Sequence, residues 1–449
     1  MLELHSIELF MLGLHLKDTV VASYGVESER PVTIVRIAAI PAPVSTPYLP
    51  VPAHYPSPSG SPAPATTAFL SGSGSPSRSP SGYPAPAPPI SPTPAPVPPI
   101  SPSPSGEESF IEGFGECAAL ASIGYATESA YSAFRTLETA YIPRLIEWSN
   151  QREGLLPHAD DLPAIFDNSP DDRMAVSAIE MALIDVWLKH EGASFSSWVG
   201  AIDSSADAGA VVGIFGDVDL LVSRVGEYAN EGYGRIKIKI SPSWDIEPVK
   251  SLVETFPNIM FCADANGSYT DNNTDCVDQL KNLDKMGLGF IEQPFPLADF
   301  SAASRIAESM DTPICLDESL ESLDDIREAA SVHAMDVACI KPGRLGGILN
   351  AFEALSICNN EGLQAYIGGM YDTGLARRAN ASLSAIGLTH YPGDTGGGEL
   401  FIEGDPFGAL NIMDGRAELY HGPGIAPMPD VSLMEKVCLK KVEFACNSL

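Results

Sequence analysis

RIKIKI (235–240), IMFCADA (259–265), GFIEQPF (289–295), PICLDES (313–319) and VACIKPG (337–343) repeat one pattern along the middle of the chain. Each is a short apolar run with a charged residue near its end. AVVGIF (210–215) and QAYIGGM (364–370) extend the series on either side. Between the runs lie amphipathic stretches such as DLLVSRVGEYANEG (219–232) and GGILNAFEALSICNNEG (346–362), each closing at a glycine. Near-continuous apolar strands alternating with helices predict a parallel sheet covered on both faces. Seven or eight such units in roughly 190 residues predict a barrel, not an open sheet.

The charged residues of these runs fall in register. Lys239, Asp264, Glu292, Asp317 and Lys341 are separated by 25, 28, 25 and 24 residues. One strand–helix unit takes roughly that length, so the five hold equivalent places on consecutive strands, at the mouth where barrels keep their chemistry. An acid at a strand end can simply cap the next helix. Three acids in register between two lysines do not fit that explanation. Three neighbouring carboxylates repel unless a cation joins them, and all-oxygen donors favour Mg²⁺, or else Mn²⁺. Lys237 and Lys239 form K-x-K, and a period of two sends both to one face. A second ammonium, a bound dication and a dry barrel mouth are expected to lower the pKa of Lys239 from its usual ~10.4 and make it a usable base.

Outside the barrel the chain reads differently. PVTIVRIAAI (31–40) and SFIEGFGECAAL (109–120) read as strands, and RMAVSAIEMALIDVWLKHEG (173–192) as a helix, which makes residues 1–40 and 106–200 an α+β domain. Residues 41–105 hold 22 of the 39 prolines and one charged residue, Arg78. Such a stretch cannot bury a core and is expected to be extended and mobile, an insertion at a hairpin tip. The barrel is placed at 201–395, with 396–449 returning to the first domain.

Across all 449 residues, 58 Asp+Glu against 26 Lys+Arg give a net charge of −32, which argues against nucleic acid and anionic lipid as partners. No apolar run approaches the ~18 residues of a membrane span. Glu3 and Glu8 stand where a secretion signal wants basic residues, so a cytosolic protein is expected. The eight cysteines form no CxxC pair and read as buried thiols. An interaction protein using the Pro-rich stretch as a docking peptide is the competing reading, against which the barrel motifs stand.

The run RIKIKI, ADAN, IEQPF, LDES, IKPGRLGG, GGMYDTGLARRAN resembles the enolase superfamily, more closely its o-succinylbenzoate synthase/N-acylamino acid racemase group. The resemblance covers essentially everything except 41–105. It implies an α/β fold, a (β/α)₇β barrel under an N-terminal α+β cap. It implies Asp264, Glu292 and Asp317 as magnesium ligands, and Lys239 and Lys341 as acid/base lysines on opposite faces of a small-molecule carboxylate. Lys237 would support them, Asn266 and Glu318 would stand behind the ligands, and Gly368, Gly369 and Met370 would line the substrate pocket with the early loop around Leu16–Gly25. The implied activity is a lyase step of menaquinone biosynthesis, with racemisation as the alternative. Tyr371–Asp372 stands where a glutamate-containing pair is usual, and Val211 where racemase-active relatives often carry serine. The oligomeric state is left open, a homo-oligomer included.

Loop-closure entropy grows only as about (3/2)RT ln n. Replacing 41–105 by a short glycine-containing turn should therefore leave the melting temperature and turnover nearly unchanged. A collapse in soluble yield would show that the stretch packs on the cap.

Overall fold

The computed structural model describes residues 1–22, 25–42, 110–121, 123, 125–166, 172–297, 299–396 and 402–446; all but the first two residues of the Pro-rich stretch lie outside these. Three strands open the fold: Leu2–Ala22 (β1), Gly25–Pro41 (β2) and Ile111–Cys117 (β3). They pair antiparallel in chain order, and Ala39 of β2 faces Ile111 of β3. Both faces of this sheet are covered. Val32 and Ile34 pack in one core with Leu375 and Phe407, while Val35 and Ile37 pack in another with the cap helices. That double burial is why these strands read as long apolar runs.

The helix Arg173–Glu191 lies across β3 and ends at Gly192, whose φ of 68° is the left-handed cap that glycine accepts without strain. Its close approach depends on the two glycines of GFGE (113–116). A Cβ on Gly115 would run into the carbonyl of Ala178.

The second sheet is parallel and curls in chain order: Gly209–Val212 (β4), Arg235–Lys239 (β5), Met260–Asp264 (β6), Ile291–Glu292 (β7), Ile314–Leu316 (β8), Val337–Ile340 (β9) and Gln364–Ile367 (β10). These are the seven runs read from the sequence. Residues 390–396 close the ring. On one side His390 N donates to Ala365 O at 2.7 Å and Asp394 N to Ile367 O at 2.8 Å; on the other, Gly209 N donates to Gly393 O at 2.7 Å. The chain then returns to the cap, where Ile402–Glu403 (β11) and Cys438–Ala445 (β12) both pair with β1.

Cap and barrel are joined by buried carboxylates set on helix N-termini. Glu116 of β3 accepts from the backbone N of Thr373 at 3.0 Å and from its hydroxyl at 2.5 Å, at the start of the barrel helix Gly374–Ser384. Glu180 of the long cap helix accepts from the backbone N–H groups of Ile348 and Leu349, at the start of the barrel helix Ile348–Glu361. Gly347, at φ +146°, leaves room for that carboxylate, which a Cβ would strike. Helix N-termini welcome negative charge. Even so, burial pushes Glu180 up to about 8.

The raised pKa fixes a sign. Between the ordinary carboxyl value and about 8 the unfolded chain gives up this proton while the folded one keeps it, so the group lowers stability as pH rises through that window. Glu180→Gln cannot ionise. Its melting temperature should gain on the wild type steadily from about pH 5 to pH 8. Parallel curves in differential scanning calorimetry would refute the assignment.

Candidate active site

β5 supplies three inward side chains. Ile236, Ile238 and Ile240 face the helix layer and are 0–1% exposed. The alternate residues Arg235, Lys237 and Lys239 face the barrel interior, as the period of two requires. Arg235 sits deepest, its Nη2 2.5 Å from Asp394 Oδ1 and its guanidinium 4.8 Å from the Tyr366 ring centre. Lys237 lies above it. Its Nζ reaches Asp394 Oδ2 at 2.8 Å, Glu292 Oε1 at 2.9 Å and Tyr366 OH at 3.0 Å. Lys239 tops the strand, 2.6 Å from Asp264 Oδ2. Neighbouring strands follow the same layering. Cys262, Phe290, Cys315, Cys339 and Tyr366 form a floor, each two residues before Asp264, Glu292, Asp317, Lys341 and Gly368 respectively.

The three acids are at most 1% exposed. Asp317 is the most heavily paired. Its Oδ2 accepts from Lys341 at 2.8 Å and from Tyr125 OH at 2.9 Å, and its Oδ1 from Arg344 at 2.6 Å. Tyr125 OH also accepts from Lys341 at 2.5 Å and from Arg344 at 2.6 Å. Burial alone would raise Asp317, but Arg344 and Lys341 outweigh it and hold the carboxyl well below its usual range. Asp264 is likewise lowered, Lys239 and Lys237 overcoming its burial. Glu292 moves the other way, pushed up to about 8 by burial and by the Asp264 charge.

Burial acts to lower Lys239, as expected, yet Asp264 outweighs it and raises the ammonium above the ordinary lysine value. Lys237 and Lys341 are raised still further by their carboxylates. The lysines are counter-ions to the acids.

Lys237, Lys239 and Lys341 line one cavity at the mouth, with Val211, Gly369, Met370 and Tyr371. Gly368 instead backs onto Cys339 and Lys341, where a Cβ would collide with the Cys339 sulfur. Asn266 Nδ2 donates to Glu318 Oε1 at 2.7 Å, and its backbone N donates to Asp264 Oδ1 at 3.0 Å. The hairpin of β1 and β2 reaches the barrel where Ile214 N donates to Val21 O, but its described residues do not line this cavity. Glu292 and Asp317 converge with Cys339, one donor atom of each lying within 4.8 Å of the others. Asp264 lies outside that group, its Oδ2 2.6 Å from Lys239 Nζ. Buried acids converging at a barrel mouth, one of them with its pKa raised by a neighbouring acid, fit a divalent cation.

Arg235, Tyr125, Arg344, Tyr366 and Asp394 were not foreseen. Arg235, Tyr366 and Asp394 hold Lys237 and its partners; Tyr125 and Arg344 hold Lys341 and Asp317. Period two from Lys237 and Gly368 would have found Arg235 and Tyr366. Nothing local marks Tyr125, which lies in the loop after β3.

A cap of antiparallel strands over a parallel barrel, with acids and lysines on successive strand ends, defines a class of metal-assisted barrel enzymes. Residues 221–430 match the family described as enolase C-terminal domain-like. The N-succinylamino acid racemase of Amycolatopsis sp is 35% identical over 337 residues, 74% of this chain and 88% of that protein. The o-succinylbenzoate synthase of Bacillus subtilis (strain 168) is 31% identical over 335 residues, again 74% and 88%. A solved enolase-superfamily member from Listeria innocua superposes with a TM-score of 0.78 at 23% identity, over the full length of both chains. The chain belongs to the enolase superfamily, in its mandelate racemase/muconate lactonizing enzyme group.

If the acids hold a cation, calorimetric titration of chelator-treated protein with a divalent ion should give one site. Glu292→Gln should weaken binding at least the ~10-fold typical of disturbing a metal's surroundings, with the circular dichroism unchanged. Equal affinities would remove Glu292 from the ligand set.

Proposed function

We propose that this chain removes the proton α to a carboxylate of a small dianionic substrate, and that its reaction is the dehydration giving 2-succinylbenzoate in menaquinone biosynthesis. It would be an o-succinylbenzoate synthase, a carbon–oxygen lyase. The buried cations around the cavity carry this reading. Arg235, Lys237, Lys239, Lys341 and Arg344 are all buried and are paired with Asp264, Glu292, Asp317 and Asp394. Lys237, Lys239 and Lys341 line the cavity, with Arg377, so a substrate bearing carboxylates meets cations there.

Asp264, Glu292 and Asp317 are the residues that would hold Mg²⁺ or Mn²⁺, whose contribution when bound is to offset negative charge developing on the substrate carboxylate. Burial and the Lys237 ammonium depress the pKa of Lys239, against Asp264, Tyr371 and Glu292, which raise it; a cation held by Asp264 would weaken the largest of these opposing charges. The free amine takes the α-proton. The same group then protonates the departing hydroxyl, which leaves as water while the ring becomes aromatic. Lys341, held between Asp317 and Tyr125 on the far side of the cavity, keeps a positive charge beside the developing anion. Lys237 stays a fixed cation, saturated by Glu292, Asp394 and Tyr366.

Racemisation of N-acylamino acids is the second reading. It is favoured by the two lysines lining one cavity from separate strands and by the similarity to the Amycolatopsis racemase. The two reactions separate at Lys341. Arginine keeps the charge but is not a base near neutral pH. Lys341→Arg should retain measurable dehydration by absorbance and lose α-proton exchange into an N-succinylamino acid of one hand, read by NMR in deuterated water. Lys239→Arg should lose dehydration altogether. If Lys341→Arg abolishes dehydration as fully as Lys239→Arg does, Lys341 transfers a proton in that reaction and the role given to it is wrong.

A further inference from the structure

Gln293, next after Glu292, holds a left-handed backbone at φ +39°. A side chain other than glycine rarely adopts that region unless its surroundings hold it there. Gln293 is 2% exposed, and its polar atoms end on the chain segments that carry the three acids. Its backbone N donates to Cys315 O at 2.8 Å, two residues before Asp317, and its carbonyl accepts from Gly267 N at 2.7 Å, three residues after Asp264. Its Oε1 accepts from the backbone N of Asp317 at 3.1 Å and of Ser319 at 3.2 Å. Its Nε2 donates to Ser319 Oγ at 2.7 Å and to Phe295 O at 2.9 Å. Both lone pairs and both hydrogens of the amide are thereby spent on the scaffold. In an extended strand Gln293 would point away from the face that Glu292 takes. The left-handed turn breaks that alternation and sets the amide against the end of β8. Asn266 repeats the device one strand earlier, at φ +42°, with its Nδ2 2.7 Å from Glu318 Oε1.

We propose that Gln293 is a positioning residue, which ties the ends of β6, β7 and β8 together so that Asp264, Glu292 and Asp317 stand at fixed spacing. The proposal rests on those three acids being cation ligands. Three carboxylates on neighbouring strand ends repel one another, and the ends that carry them must be held against that repulsion. The hub does so through backbone groups and one hydroxyl, so no carboxylate oxygen is used up in the holding. Its strained backbone is then the cost of a set of donors arranged in advance.

The test is Mn²⁺ added to metal-free protein. Gln293→Asn keeps a residue that tolerates positive φ but is one methylene too short to reach both Asp317 and Ser319. It should bind Mn²⁺ at least ~10-fold more weakly in calorimetry, the loss typical of a group that orients metal ligands. Its bound Mn²⁺ should also give an altered electron paramagnetic resonance spectrum, whose line shape reads the symmetry of the donors. Ser319→Ala, which takes one hydroxyl from the hub, should move both readings the same way by less. A residue that only stabilised the fold would lower the melting temperature and leave both readings as in the wild type. That outcome in folded Gln293→Asn, or in Ser319→Ala should Gln293→Asn not fold, would overturn the proposal while leaving the carboxylate site standing. Failure of the wild type itself to take up Mn²⁺ would remove both.

Discussion

A carboxylate withdrawn from water must be neutralised, and the barrel mouth is organised by that constraint. Burying an unpaired charge costs several kcal/mol or more. Asp264, Glu292 and Asp317 are all but fully buried on adjacent strands. Without the cations threaded between them the barrel end could not close. Lys237 is the central tie, reaching acids on β7 and on the closing segment at once. Asp394 then links Lys237 to Arg235 below. The network that would do chemistry is therefore the same one that permits the mouth to be dry.

The cap obeys a related rule. It adds to the site a phenol, Tyr125, and little other polar chemistry. What it contributes is exclusion of water, and for that it must sit in one place. Hydrophobic contact is non-directional. The carboxylates of Glu116 and Glu180 are directional, each met by the N–H groups that open a barrel helix. Buried Arg30 adds to this joint, donating to the carbonyl oxygens of Ala118 and Tyr371. Two helix ends and one guanidinium thus fix the angle at which the cap covers the mouth.

How much could be read beforehand follows from which information is local. The strand–helix repeat and the five charged strand ends are periodic, so all seven barrel strands and the mouth were legible. The cysteine and aromatic floor was legible in the same way, two residues before each polar end. The closing segment was not, since YPGDTG (391–396) has no apolar run and pairs through backbone groups that any sequence supplies. Asp394 was lost with it. Tyr125 meets Lys341 across 216 residues, and no periodicity links them. The Asp264 contribution to the Lys239 pKa was not legible either, because it depends on which charge lies nearest. Sequence spacing places Lys237 beside it, while the fold puts Asp264 within hydrogen-bonding distance.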